Sequence, residues 1–169
     1  MNPKTPENSK AIQTDIVLPG DTNSLNNLFG GELLARMDKV ASIAAIKHSE
    51  QIVVTASINN VAFGEPVPNG SILTIEAKVS RAFNTSMEVF IDVWKQNKTH
   101  KKKTNVNEAI YTFVAVTKSG KTVKVPTLVP ETELEKKRFD AALRRRQLSL
   151  VLAGKMKANE ATELKAIFD

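Results

Sequence analysis

The stretch Gly30-Gly31-Glu32-Leu33-Leu34-Ala35-Arg36-Met37-Asp38-Lys39-Val40-Ala41-Ser42-Ile43-Ala44-Ala45-Ile46-Lys47-His48 decides the architecture. It contains helix formers throughout and no proline, so it predicts a helix from Gly30 to about His48. At 100° per residue, Glu32, Arg36, Lys39 and Lys47 share one stripe roughly 80° wide, which is the solvent face. Asp38 falls roughly 145° from the centre of that stripe, among Gly31, Leu34, Ala41 and Ala45, and is the only carboxylate on that side. Burying an ionised carboxylate is costly unless it is bonded or paired. Two readings follow: a structural aspartate bonded to backbone amides or a strand lysine, or a general base at a pocket or subunit interface, where desolvation strengthens a carboxylate as a base.

The two glycines that lead the helix bear on this choice. A helix N-terminus presents unpaired amide hydrogens and partial positive charge. Gly30 and Gly31 have no side chains to block an approaching carbonyl, and Asp38 lies about two turns, roughly 10 Å, further along. Close packing of helix on sheet would favour the same glycines.

Outward from the helix, residues 1–10 read as a loose arm and Ala11 to Leu18 as a short strand closed by Pro19-Gly20, followed by a polar loop from Asp21 to Asn27. Four strand-like runs come after the helix. They are roughly Ile52 to Phe63, Ile72 to Arg81, the run with Met87, Val89, Ile91 and Val93 on one face, and Asn107 to Thr117. Their period of two and short connections predict an antiparallel meander, and with the helix an α+β class. A charged helix is predicted from Glu131 to about Leu152, broken at Gly154, with a last amphipathic piece from Ala158 to Phe168. The expected organisation is an arm over 1–10, a domain over 11–130 and a helical extension over 131–169.

Composition removes several chemistries. With no cysteine and two histidines, His48 and His100, the chain has no thiolate metal site, redox pair or cysteine nucleophile. No stretch approaches the roughly 20 apolar residues that span a bilayer, so a cytoplasmic protein without membrane partners is expected. The net charge of +6 is concentrated in Lys101-Lys102-Lys103 and between Lys136 and Arg146. Aromatic residues make up 5%, too few for a single-strand stacking platform. The same basic excess suits a small polyanion.

Pro19-Gly20-Asp21-Thr22-Asn23, Leu28-Phe29-Gly30-Gly31-Glu32-Leu33-Leu34 and Met37-Asp38 resemble the cytosolic acyl-CoA hydrolase group of hotdog thioesterases. The likeness continues in order through Val53-Val54-Thr55-Ala56, Val61-Ala62-Phe63, Thr85-Ser86-Met87-Glu88-Val89, Phe113-Val114-Ala115-Val116 and the tail from Val125-Pro126 to Arg144-Arg145. The resemblance implies a hotdog fold, an antiparallel sheet wrapped around one central helix. It implies a homo-oligomer, a dimer or a homohexamer built from three dimers, with active sites between protomers. Carried over, Asp38 is the general base for water, and Asn23 positions water or thioester from the partner subunit. Gly31, with Gly30, supplies the oxyanion donor, while Thr85 and Ser86 bond the pantetheine or phosphate region of the substrate. No cofactor is implied, since coenzyme A is part of substrate and product. The Lys101–Lys103 run reads as a solvated turn, with a 3′-phosphate clamp as the alternative, and His48 as a cap or packing residue. Two departures stand out: Asn26 where a glycine is usual, and Phe83-Asn84 where a glycine and a basic residue commonly precede the Thr-Ser pair. The expected activity is hydrolysis of acyl-CoA; the alternative is a non-catalytic acyl-CoA-binding or sensing module.

Overall fold

Strand runs that place apolar side chains on one face need a covering layer, and the long helix supplies it. The computed structural model describes residues 1–97 and 102–167, apart from the side chain of Asn60. The strands are β1 (Ala11–Ile16), β2 (Ile52–Phe63), β3 (Ile72–Ala82), β4 (Ser86–Gln96) and β5 (Thr104–Val116); the helices are α1 (Pro6–Ser9), α2 (Gly30–Ser49), α3 (Glu133–Leu152) and α4 (Thr162–Lys165). All strand pairs are antiparallel, in the order β1-β3-β4-β5-β2. This is the hotdog arrangement that the resemblance implies.

One face of the sheet packs on α2. Leu73, Ile75, Ala77 and Val79 of β3 and Met87, Val89, Ile91 and Val93 of β4 are buried with Leu33, Met37, Val40, Ala41, Ala44 and Ala45 of the helix. The other face carries α3. Its start is fixed by Thr132, whose hydroxyl accepts from the Glu135 amide while the Glu135 carboxylate accepts from the Thr132 amide, a capping box that satisfies two orphan donors. The helix leans on β4 through two bidentate ion pairs: Arg138 with Asp92 at 2.8 and 2.9 Å, and Arg145 with Glu88 at 2.7 and 2.9 Å.

Three expectations change. Residues 1–10 do not hang as an arm: α1 docks on β3, with Ser9 Oγ accepting from the Val79 amide at 2.9 Å, and Lys4 pairs through its backbone with Thr127 and Val129. The last amphipathic piece is split into a 3-10 turn at Ala158–Glu160 and the single turn of α4, while Phe168 lies outside the described residues. The four runs do not make one meander: β3, β4 and β5 do, but β2 pairs with β5 at the far edge instead of with β3, and the last run begins at Thr104 rather than Asn107. Most of the Lys98 to Thr104 turn, with His100 and Lys101, is outside the described residues. Asn26 takes the left-handed conformation at φ 57°, so the turn survives without its usual glycine, and Gly154 at φ 66° follows the end of α3. No helix among the described residues is long and apolar enough to cross a membrane.

Candidate active site

Asp38 sits on the flank of α2 that faces β2, half-buried rather than enclosed in the core. Its Oδ1 accepts a hydrogen bond from Thr55 Oγ1 at 2.8 Å. A bulge follows Thr55 on the strand. Thr55 pairs with Phe113 and Ser57 with Thr112, so Ala56 is an extra residue between them. An inserted residue shifts the alternation by one and re-aims side chains. Thr55, in phase with Val53, faces the helix, and beyond the bulge Ser57 and Asn59 face away from it. Below the pair, Tyr111 of β5 is fully buried and its hydroxyl donates to the Leu34 carbonyl at 3.1 Å. Burial, with the Asp38 charge added, pushes the Tyr111 phenol up to about 12, so it stays protonated and a donor.

The N-terminus of α2 opens without a capping side chain. Phe29 is the N-cap, at φ −66° and ψ 133°, and offers no acceptor. Amides at the first turn thus keep their donor capacity. A Cβ on Gly30 would come 3.2 Å from the Phe63 ring, whereas one on Gly31 would meet the Phe29 ring at 3.5 Å, an ordinary contact. Gly30 therefore has a packing role, and Gly31 is exposed with its amide at the helix entrance.

Asn23 does what a turn residue does: its Oδ1 accepts from the amides of Leu25 at 2.9 Å and Asn27 at 3.3 Å. This use of the carbonyl oxygen leaves its Nδ2 donors without a hydrogen bond among the described residues. The loop is tied to α2 by Arg36, which bonds Asp21 at 2.8 Å and Glu32 at 3.0 Å. The Leu18 amide and then the Arg36 guanidinium hold the Asp21 carboxyl below its ordinary value. No hydrogen bond joins Asn23 to Asp38 within the protomer.

Thr85 and Ser86 lie together at the start of β4 but border a groove on the opposite sheet face, under α3. Thr85 is half-buried and its carbonyl accepts from Ala115 at 2.9 Å; Ser86 is buried and its hydroxyl accepts from Arg146 at 3.2 Å. The structure thus leaves the expected residues apart: Asp38 on the flank of α2 about two turns past Gly30-Gly31, Asn23 in its loop, and the hydroxyl pair across the sheet. Thr55 and Tyr111 were not singled out as site residues by the sequence. His48 is buried and its Nε2 lies 2.8 Å from the Pro126 carbonyl, a packing role. Among the described residues no cluster of His, Cys, Asp or Glu could hold a metal ion.

The sheet wrapped on a glycine-led helix agrees with the thioesterase superfamily model, which matches residues 25–101. The chain belongs to the acyl-CoA thioester hydrolase family. An uncharacterized acyl-CoA thioester hydrolase of Bacillus subtilis is 39% identical over 137 residues, 81% of this chain and 80% of that one. The cytosolic acyl coenzyme A thioester hydrolase of Homo sapiens is 34% identical over 82% of this chain and 37% of its own length. Among solved structures, an apo-hexameric acyl-CoA thioesterase superposes with a TM-score of 0.87 at 39% identity, covering 90% of this chain and 98% of that one. An acyl-CoA hydrolase of Staphylococcus aureus, in complex with butyryl coenzyme A, coenzyme A and coenzyme A disulfide, gives 0.82 at 35%, covering 96% and 98%. That hydrolase has also been solved with an aspartate, a threonine and an asparagine each replaced by alanine.

Proposed function

We propose that this chain hydrolyses acyl-CoA to a free carboxylic acid and CoA, with Asp38 as general base. The observation that carries this reading is the Thr55–Asp38 hydrogen bond on the same helix whose entrance is uncapped. Thr55 fixes one carboxylate oxygen and leaves the other to take a proton from water. Water then adds to the thioester carbonyl, the developing oxyanion is met by the Gly31 amide, and the CoA thiolate leaves and takes up a proton. The asparagine, aspartate and threonine replaced in the Staphylococcus aureus hydrolase have the order and spacing of Asn23, Asp38 and Thr55, which supports assigning these three to the same site.

The reading includes a homo-oligomer. Strand β2 is a twelve-residue sheet edge whose Ile52, Val54, Ile58 and Phe63 are all at least 44% exposed. Long apolar edges are normally covered, and a second copy laid along β2 covers this one. Such a partner brings its own Asn23 loop to the site, where the free Nδ2 amide holds water or thioester. The hexameric neighbour supports assembly beyond the dimer, and the cytosolic human relative supports a cytoplasmic location. Thr85 and Ser86 contact the CoA portion in this scheme.

The test is thiol release from acyl-CoA esters, read with a thiol reagent to which this cysteine-free chain adds no background. Release by the native chain that falls at least ~100-fold in Asp38→Ala is expected for loss of a general base. Hydrolysis that persists unchanged in Asp38→Ala overturns the mechanism. CoA binding without hydrolysis at any acyl length would indicate a sensing module instead.

A further inference from the structure

Phe83, which stands where the family commonly carries glycine, has a specific neighbour. The guanidinium carbon of Arg146 lies 4.2 Å from the Phe83 ring centre, and that of Arg81 lies 5.9 Å from it on the same ring. Arg138 and Arg145, on the same helix as Arg146, are each neutralised by a carboxylate. Arg146 has no carboxylate within salt-bridge distance among the described residues, and its single side-chain hydrogen bond is to Ser86 Oγ. Burial alone depresses its pKa, as expected of a desolvated cation without an anion.

This cation borders the groove under α3, a cavity of about 420 Å³. Ser57, Thr85, Ser86, Arg145, Arg146 and Lys155 line it, and its one acidic wall residue, Glu88, is already paired with Arg145. The wall therefore carries an unbalanced positive charge beside several hydroxyl donors, the chemistry that phosphate oxygens require. Stacking on an aromatic ring holds a guanidinium in place while leaving its edge free to donate. The groove and Asp38 are on opposite sheet faces, yet both meet the edge strand. Ala56 and Ser57 line the groove, and the preceding residue, Thr55, holds Asp38.

We infer that Arg146, stacked on Phe83 and bonded to Ser86, binds a phosphate of the CoA portion of the substrate in the groove under α3. This inference rests on the acyl-CoA reading above. Helix α3 thereby supplies the cation that Asn84 does not, and Phe83 is its platform.

The experiment compares the same acyl group carried on CoA, on dephospho-CoA and on N-acetylcysteamine, which has no phosphate. Arg146→Gln should raise KM for acyl-CoA roughly tenfold with little change in kcat, the effect of losing one charge-assisted contact outside the reacting centre. Arg146→Lys should recover part of the loss, and Phe83→Leu should show a smaller rise. The N-acetylcysteamine ester should be cleaved equally by both proteins, which also shows that the variant folds. An effect retained on dephospho-CoA assigns the contact to the diphosphate, and one abolished there assigns it to the 3′-phosphate; either outcome supports the inference. An unchanged KM for acyl-CoA, or an equal loss on all three esters, overturns it. If the native chain cleaves none of them, the hydrolytic reading falls by itself. Calorimetric CoA binding, native against Arg146→Gln, then decides the Arg146 assignment: roughly tenfold weaker binding upholds it, and equal affinity overturns it.

Discussion

Thr55 and Asp38 are joined at 2.8 Å from different layers, the hydroxyl on the edge strand and the carboxylate on the central helix. The bond restrains Asp38 and occupies one of its two oxygens. Thr55→Ala should lower kcat by about tenfold to a hundredfold, the scale of a hydrogen bond to a charged group, and leave KM nearly unchanged. Thr55→Ser should retain most activity. In an Asp38→Ala background the threonine substitution should have no further effect, and independent losses in that double-mutant cycle would refute the coupling.

Tyr111 is the only tyrosine, so its phenolate absorbance is a direct readout. Burial, followed by the Asp38 charge, raises its pKa from 10.0 to about 12. The contribution of this group to stability is therefore complete below about pH 10 and is lost as pH rises towards 12. Ultraviolet titration of the native protein should show no phenolate near pH 10, whereas the urea-unfolded chain should be half-ionised there. Equal midpoints in the two states would contradict the buried environment.

The buried His48 ring donates from Nε2 to Pro126, which leaves Nδ1 as a lone pair without a partner. Burial holds its pKa below the ordinary value. A depressed histidine binds more protons when unfolded, so stability rises with pH across the interval between the folded pKa and about 6.5. Cooling of the melting transition as pH falls below about 6.5 should be shallower in His48→Gln, whose amide still donates to Pro126. An identical slope in both proteins would remove His48 as a source of acid sensitivity.

Glu88 is 4% exposed and is held by Arg145 and by the Ser80 hydroxyl. Arg145→Ala leaves that carboxylate buried without its countercharge, a change that costs about 3 to 5 kcal/mol. A fall in melting temperature of roughly 10 °C is expected for a chain of this size. Adding Glu88→Leu should restore much of it, since the stranded charge disappears. The exposed pair Lys136–Glu133 at 2.8 Å should show no comparable loss when broken, because solvent screens it.

Where periodicity was unbroken, the sequence was legible. Helix α2 begins at Gly30 as expected, and Met87, Val89, Ile91 and Val93 share the buried face. The position of Asp38 was legible in direction but not in depth: the helical wheel puts it opposite the solvent stripe, while the protomer leaves it half-buried at the sheet edge. Counting by two from Val53 puts Thr55 on the helix side but fails at Ala56, so the outward facing of Ser57 and Asn59 was hidden. Glu88 and Asp92 alternate like solvent-facing residues, and only α3, far along the chain, supplies the arginines that bury them. The docking of residues 1–10 was equally opaque, since it rests on one serine hydroxyl meeting the Val79 amide.

The bulge at Ala56 changes the frame in which β2 is read, and a second register shift between Asn59 and Ala62 changes it again. Val53 and Thr55 belong to the first, in which odd positions face the helix; Ile58 belongs to the second, in which Ser57 and Asn59 face outward. The extra residue works as a frameshift works in a coding sequence, preserving order while changing what the positions up to Asn59 address. One strand edge can thus direct a hydroxyl to Asp38 on the helix side and another to the groove under α3. Any alignment that counts straight through Ala56 would assign one of those hydroxyls to the wrong side of the sheet.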